Sequence, residues 1–439
     1  MDGSRFLSDL VGDLFSLEPS AEELAAARLR LFDAAVAWRT ASSRSDGSLA
    51  TLATTLLGAA GSDSLGGRLV GIAAYGRSSE VDDIHLASCT TPAMIVVPTV
   101  AALAHRVGDR PAAAALRAVV CGYEAVTRCA AALGGPRLLS KGIWPSRAVA
   151  PIGAAVTAAV LLDLDEDAFA DAVGLATGVA FGGTFPEPAR ELSFAAAVLT
   201  GASGAVAASW HCATGAGLDP EWATRISGVP LSDPLVPAPD APRAVLTTAL
   251  KPYCGARQAL AAATTVSRLV ADAGVSPDEI DHVVVGVPTA HRRMVDRPAV
   301  TSRLDTLASI QYQVALALLS PDECFDVLRL PARDGGLHTA LMGRVEVRAD
   351  GALDASFPES WGASVSIRAG RRELEATADG VAGEHALDWD LLRGKSARLF
   401  RRAGLPARLG EEMAAIASEF TVVGALDALF PPAPAGIGG

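Results

Sequence analysis

Within six residues, Glu80-Val81-Asp82-Asp83-Ile84-His85, the chain gathers three carboxylates and an imidazole. Carboxylates this close push one another's pKa values apart, so one can act as a base and another as an acid beside the histidine. The same set could chelate a metal, or simply cap the apolar helix that follows Ser88-Cys89-Thr90-Thr91-Pro92. A second group is Lys251-Pro252-Tyr253-Cys254-Gly255-Ala256-Arg257. The chain has only three lysines, Lys141, Lys251 and Lys395. One that follows an apolar stretch is either a partly buried cation awaiting a carboxylate or a surface residue at a junction. Tyr312, after Gln311 in an apolar helix, carries a hydroxyl that needs a partner, as a proton donor or in a structural bond. Gly142-Ile143-Trp144-Pro145-Ser146-Arg147 opens another apolar helix. There Ser146 and Arg147 could hold an anion, or Trp144 and Pro145 could form a packing corner.

The elements that position these groups change type along the chain. Ser20 with Glu23 is a capping box before an Ala/Leu-rich run to about Trp38. Apolar helical runs follow at Pro92 to His105, Ala112 to Leu133, Ala148 to Leu162 and Ala195 to Thr214. Asp165 is the expected N-cap of one more. No strand-like alternation interrupts this half, which reads as a large all-helical domain. A Pro-rich connector, Pro230 to Pro242, marks the change. Beyond it, helices at Arg257 to Ala273 and Thr306 to Leu319 mix with strands. The strands are expected at His282–Val287, Val345–Arg348, Ala363–Arg368 and Leu374–Thr377. Helices return after Asp388, at Leu391–Phe400 and Leu409–Phe420, and are expected to pack back on the first domain. The tail from Pro431 is expected to be disordered. The fold class is therefore α+β multidomain, with residues 1–247 and 392–439 helical and 248–391 a smaller α+β unit.

Composition narrows the function. Lys and Arg total 37 against 49 Asp and Glu, a net charge of −12, the opposite of a nucleic-acid-binding footprint. Six cysteines without CxxC spacing read as reduced, mostly buried thiols rather than a zinc site. The start of the chain carries acids and no signal-peptide core. The run from Ala148 to Leu162 is shorter than the roughly 20 residues a membrane span needs, so a buried helix is expected. The protein is expected in the cytoplasm, with a small-molecule substrate and neither nucleic acid nor membrane as partner. No nucleotide-loop, nucleophile-elbow or HExxH motif is present; Gly182-Gly183-Thr184 is a weak small-residue turn. The other histidines (105, 211, 282, 291, 338, 385) are scattered.

Taken together the motifs resemble those of the MmgE/PrpD family, which includes 2-methylcitrate dehydratase, cis-aconitate decarboxylase and iminodisuccinate epimerase. The family's LDxDDTHxxSxxHPS pattern is similar to Glu80 through Ala93, and its GYE…R to Gly122-Tyr123-Glu124 and Arg128. Its GxHPT segment is similar to Gly142 to Asp165, its KPYPxCR to Lys251 through Arg257, and its FSxxYxxAxALL to Ser309 through Leu319. The lid strands resemble Val345 to Ile367. The resemblance covers nearly the whole chain in order. It implies a helical domain built from both chain ends, an α+β lid, an active site between them, a homodimer, and no metal or organic cofactor. It also implies proton transfer next to a carboxylate, with cations stabilising the enolate-like charge.

By that resemblance Asp82, Asp83, His85, Lys251 and Tyr312 would be catalytic. Glu80, Thr91, Trp144, Arg147, Tyr253 and Arg257 would bind substrate. The departures are specific. One family histidine falls on Thr91 and another on Trp144; a lysine or histidine falls on Ser193 and Ala196; the threonine after the paired aspartates is Ile84; the second residue of a cysteine pair is Ala256. Fewer cations and more apolar surface imply a less acidic, more apolar substrate than methylcitrate. Three readings follow: a cofactor-independent lyase of dehydratase or decarboxylase type, an isomerase or cyclase of specialised metabolism, and an inactive binding homologue.

Overall fold

The computed structural model describes residues 3–44, 64–180, 189–209, 217–228, 231, 241–331 and 335–431. Most of the Pro-rich connector, Gly182 to Thr184, His211, Cys212 and the C-terminal tail after Pro431 lie outside the described residues.

The N-terminal half is built of helices. Helix α1 is Gly3–Phe15 and α2 is Ala21–Arg44. The expected capping box opens α2: the Ser20 amide donates to Glu23 at 2.7 Å, and the Glu23 amide to the Ser20 hydroxyl at 3.2 Å. Then come α3 (Leu65–Ser78), α4 (Ala93–Ala104), α5 (Ala112–Ala132), α6 (Pro145–Leu162), α7 (Glu166–Val179) and α8 (Ala189–Ala208). Asp165 caps α7 by accepting from the Ala168 amide. Helix α6 is apolar on all faces because α4, α5, α7 and α8 surround it. Among the described residues it is the one helix long and apolar enough to cross a membrane, yet 94% of it is buried inside the protein. The close crossing of α6 and α8 depends on Gly201, where any Cβ would stand 2.0 Å from the Pro151 carbonyl oxygen.

The second half alternates types. Helix α9 (Arg257–Ala273) matches its expected limits. Strand β1 (Ile280–Val287) begins two residues earlier than expected. Helix α10 covers Ile310–Leu319; the expected longer helix is broken at Ser309, which caps α10 by accepting from the Tyr312 amide. Strands β2 (Val345–Ala349), β3 (Ala363–Ala369) and β4 (Arg372–Ala378) complete a sheet ordered β2-β1-β3-β4. β1 and β2 are parallel, with Val285 opposite Val347; the other pairs are antiparallel, with Val365 opposite Val285 and Ala376. Ala363, Val365, Ile367 and Ala369 are buried and alternate along β3, and α9 packs on β3 and β4.

The chain ends with α11 (Trp389–Ala403) and α12 (Ala407–Glu419), both packed on α2. Arg28 of α2 donates to the carbonyls of Ala417 and Phe420, and Lys395 of α11 pairs with Asp33 of α2 at 2.7 Å. The fold is thus a large helical assembly made from both chain ends with a smaller α+β unit between them in sequence. The five described cysteines (89, 121, 129, 254, 324) are all free and buried.

Candidate active site

The acidic stretch begins where α3 ends. The chain leaves the helix through Glu80, whose φ of 54° is a left-handed conformation that costs a non-glycine residue about 1–2 kcal/mol. Hydrogen bonds from distant residues hold this turn. The Gly255 amide donates to the Glu80 carbonyl at 3.2 Å, and Lys395 Nζ to the Val81 carbonyl at 2.7 Å. Cys254 Sγ donates to the Ser79 carbonyl at 3.1 Å, and Arg303 donates to that of Ser78. Ile84 then forms a two-way antiparallel bridge with Ala249 at 2.9 and 2.8 Å. That register carries Lys251 opposite Asp82, because two residues back on one strand meet two residues forward on the other.

The result is a buried ion cluster. Lys251 Nζ lies 2.9 Å from Glu80 Oε2 and 3.3 Å from Asp82 Oδ1. Arg77 reaches both carboxylates, each at 2.5 Å, and Arg190 of α8 reaches Glu80 Oε1 at 2.8 Å. Arg77, Lys251 and Arg190 thus converge on Glu80, and Arg77 and Lys251 also on Asp82. Burial alone would raise the pKa of Glu80, but Arg77, Lys251 and Arg190 outweigh it and hold the carboxyl well below its usual range. Asp82 Oδ2 is buried and has no hydrogen-bond partner, an acceptor not consumed by the cluster. Trp144 forms an aromatic wall over these cations. The Arg77 and Arg190 guanidinium carbons lie 5.6 and 5.3 Å from its ring centroid, and Phe194 stacks on it at 5.2 Å.

The other expected site residues are distributed around this cluster. Asp83 faces the opposite way. It accepts from Tyr123 Oη at 2.6 Å and from the Ala93 amide at the start of α4, with Arg30 at 3.6 Å. Burial outweighs these contacts and raises its pKa to about 6. His85 packs Nδ1 against the Ser88 hydroxyl at 2.8 Å. Burial, with Arg30 and His385 nearby, lowers its pKa to about 4, so it is neutral at pH 7. The Thr91 amide donates to Ser146 Oγ at 3.1 Å, and Arg147 Nε donates to Ser193. Tyr253 is buried against Phe325, its hydroxyl without a hydrogen-bond partner; burial raises its pKa well above the usual value.

Two residues are placed away from the Lys251 cluster. Arg257 is fully buried and its guanidinium is committed to Glu384 through two bonds, at 2.6 and 2.7 Å, and to the Trp361 carbonyl at 3.2 Å. The Tyr312 hydroxyl accepts from Arg329 Nε at 2.6 Å, and its ring packs on His338 at 4.6 Å. Tyr312 lines a small recess with Cys254, three residues from Lys251. Among the described residues no group of three or more His, Cys, Asp or Glu side chains is placed to hold a metal ion.

Three residues of the site were not singled out from the sequence. Arg77 stands i, i+3 from Glu80 across a helix end, a spacing that could have been noticed. Arg190, which pairs with Glu80, lies three residues before Ser193 on α8, where the resemblance placed a missing family cation. Lys395 is one of the three lysines, and its scarcity was the only signal for it.

Buried acid–base groups thus sit within a helical assembly, with Lys251 brought to them from the start of the α+β half. Residues 51–223 match the MmgE/PrpD N-terminal domain and residues 253–417 the MmgE/PrpD C-terminal domain, so the chain belongs to the MmgE/PrpD family. No curated protein gives a significant match to it.

Proposed function

We propose that the protein is a cofactor-independent lyase that moves a proton next to a carboxylate or carbonyl group. The observation that carries this reading is the convergence of Lys251, Arg77 and Arg190 on one buried spot beside an oxygen of Asp82 that accepts no hydrogen bond. A substrate carboxylate or carbonyl would be drawn to these cations, which would stabilise the enolate-like charge as a proton leaves. Asp82 is the base on this reading. Asp83 is tied to Tyr123 and the α4 start, and His85 is held at Nδ1 by the Ser88 hydroxyl, whereas Asp82 keeps an oxygen without a hydrogen-bond partner beside Lys251. Lys251 serves as the electrophile. Trp144 with Phe194 supplies an apolar wall where the family pattern has an imidazole, which supports a substrate less acidic and more apolar than methylcitrate. That wall also favours, as a second reading, an isomerase or cyclase of specialised metabolism using the same groups. The protein would act in the cytoplasm as a homodimer.

The test is proton NMR in D₂O with citrate-, aconitate-, hydroxyacid- and β-keto-type substrates. New vinyl signals report elimination or decarboxylation; deuterium wash-in without net product reports the isomerase reading. Asp82→Asn should abolish either. Turnover of methylcitrate or aconitate at ordinary enzyme rates would refute the substrate class, and persistence of turnover in Asp82→Asn would refute the base.

A further inference from the structure

The seam between the returning helix α11 and the α+β unit holds a half-open cavity of about 280 Å³. One wall is a single face of α11: Leu391, Gly394, Lys395 and Arg398, spaced i, i+3, i+4, i+7. The facing wall is formed by Leu250, Lys251 and Pro252 with Phe325, closed at one end by the turn carrying Glu384. The lining is mostly apolar, and its charged members are three cations and one carboxylate. That carboxylate, Glu384, is held through both oxygens by Arg257. Lys395 is buried and donates to Asp33 and the Val81 carbonyl, which leaves one ammonium hydrogen unassigned. Arg398 stands at the solvent side with its guanidinium 4.2 Å from the Phe325 ring centroid. Its carboxylate neighbour is the solvent-facing Asp322, at 3.8 Å.

Gly394 leaves the α11 side of the cavity open. A Cβ built there meets no atom within 4 Å, so the helix face is open where a side chain would otherwise fill the seam. A glycine inside a helix costs about 1 kcal/mol relative to alanine, and here nothing packs so tightly that it must be glycine. We propose that this cavity is a binding site for an amphiphilic monocarboxylate. The apolar chain lies against Leu250, Phe325 and Leu391 in the gap left by Gly394, and the carboxylate engages the guanidinium of Arg398. The volume corresponds to roughly nine waters, enough for an acid of about ten non-hydrogen atoms. The site shares Lys251 with the cluster described above, but binding is read without turnover and does not rest on the reaction proposed.

The experiment is isothermal titration of the full chain with octanoate, and with octan-1-ol as the uncharged probe. Octanoate should bind saturably at one site per chain with Kd below about 1 mM. Gly394→Phe fills the gap and should weaken octanoate at least about tenfold while leaving Tm unchanged or raised. Arg398→Gln, a half-exposed position, should weaken octanoate about fivefold or more and leave octan-1-ol unchanged. Absence of saturable octanoate binding would overturn the proposal, as would binding that neither substitution affects.

Discussion

The ion cluster makes an ordering prediction from the number of partners each member holds. Native, it holds Arg77, Arg190 and Lys251 against Glu80 and Asp82. Lys251→Met leaves two cations and two carboxylates, each carboxylate still held by an arginine at 2.5 Å. Glu80→Gln takes away the carboxylate that Arg77, Lys251 and Arg190 share, in a site out of water. Removing one partner from a buried pair costs about 3–5 kcal/mol when it strands a charge, and Glu80→Gln belongs at that end. Lys251→Met should cost about 1–2 kcal/mol, since its desolvation penalty disappears with it. For 439 residues the melting entropy is about 0.9 kcal/mol/K, so each kcal/mol moves Tm by about 1 °C. Thermal unfolding at pH 7 should therefore place Lys251→Met about 1–2 °C below the native chain and Glu80→Gln about 3–5 °C below it. The double variant should sit above Glu80→Gln, because removing Lys251 relieves the stranded positive charge. A larger loss in Lys251→Met than in Glu80→Gln, or a double variant below both, would refute the cluster as described. The lysine variant should meanwhile lose turnover, so its activity and stability effects separate.

Three further outcomes follow from the structure. His291 is buried between Phe357 and Trp361 with its pKa lowered to about 3, so the unfolded chain takes up its proton first as pH falls below about 6.5 and stability drops. His291→Phe should lose about 2 kcal/mol less than the native chain between pH 7 and pH 5, measured by urea unfolding at both; equal losses would refute it. Gly201→Ala should cost about 3 kcal/mol or more, because the clash is with backbone on α6 and no side chain can yield; calorimetry reads it directly. Arg257→Lys should lower Tm by about 2–4 °C by losing the two-pronged bond to Glu384, while KM for any substrate found stays within about twofold.

Much of the fold was legible because it rests on local rules. The Ser20–Glu23 box, the Asp165 cap and the limits of α9 are set by residues within one turn of each other. The break at Ser309 was missed because its cause is a side-chain bond to the Arg297 carbonyl, which no local pattern announces. The site was legible as a set of residue types and not as pairings. The acids at 80 and 82 and the lysine at 251 meet, but Asp83 turns away by one step of the extended backbone, since adjacent side chains point to opposite faces. Arg257 looked like a substrate ligand because its partner, Glu384, lies 127 residues away. Arg190 is not legible from the pattern around Ser193, because only the packing of α8 on α3 and α6 sets which turn of the helix faces Glu80.

The bond from Lys395 to the Val81 carbonyl spans 314 residues. During synthesis at about 5–20 residues per second, the acidic turn emerges from the ribosome roughly 15–60 s before the lysine that secures it. Lys251 arrives in between, so the turn carrying Glu80 and Asp82 waits with its charges only partly matched. The last helices are therefore a clasp applied late. A chain released before residue 395 would leave the ribosome with nearly all of its core and an acidic turn lacking its final fastening.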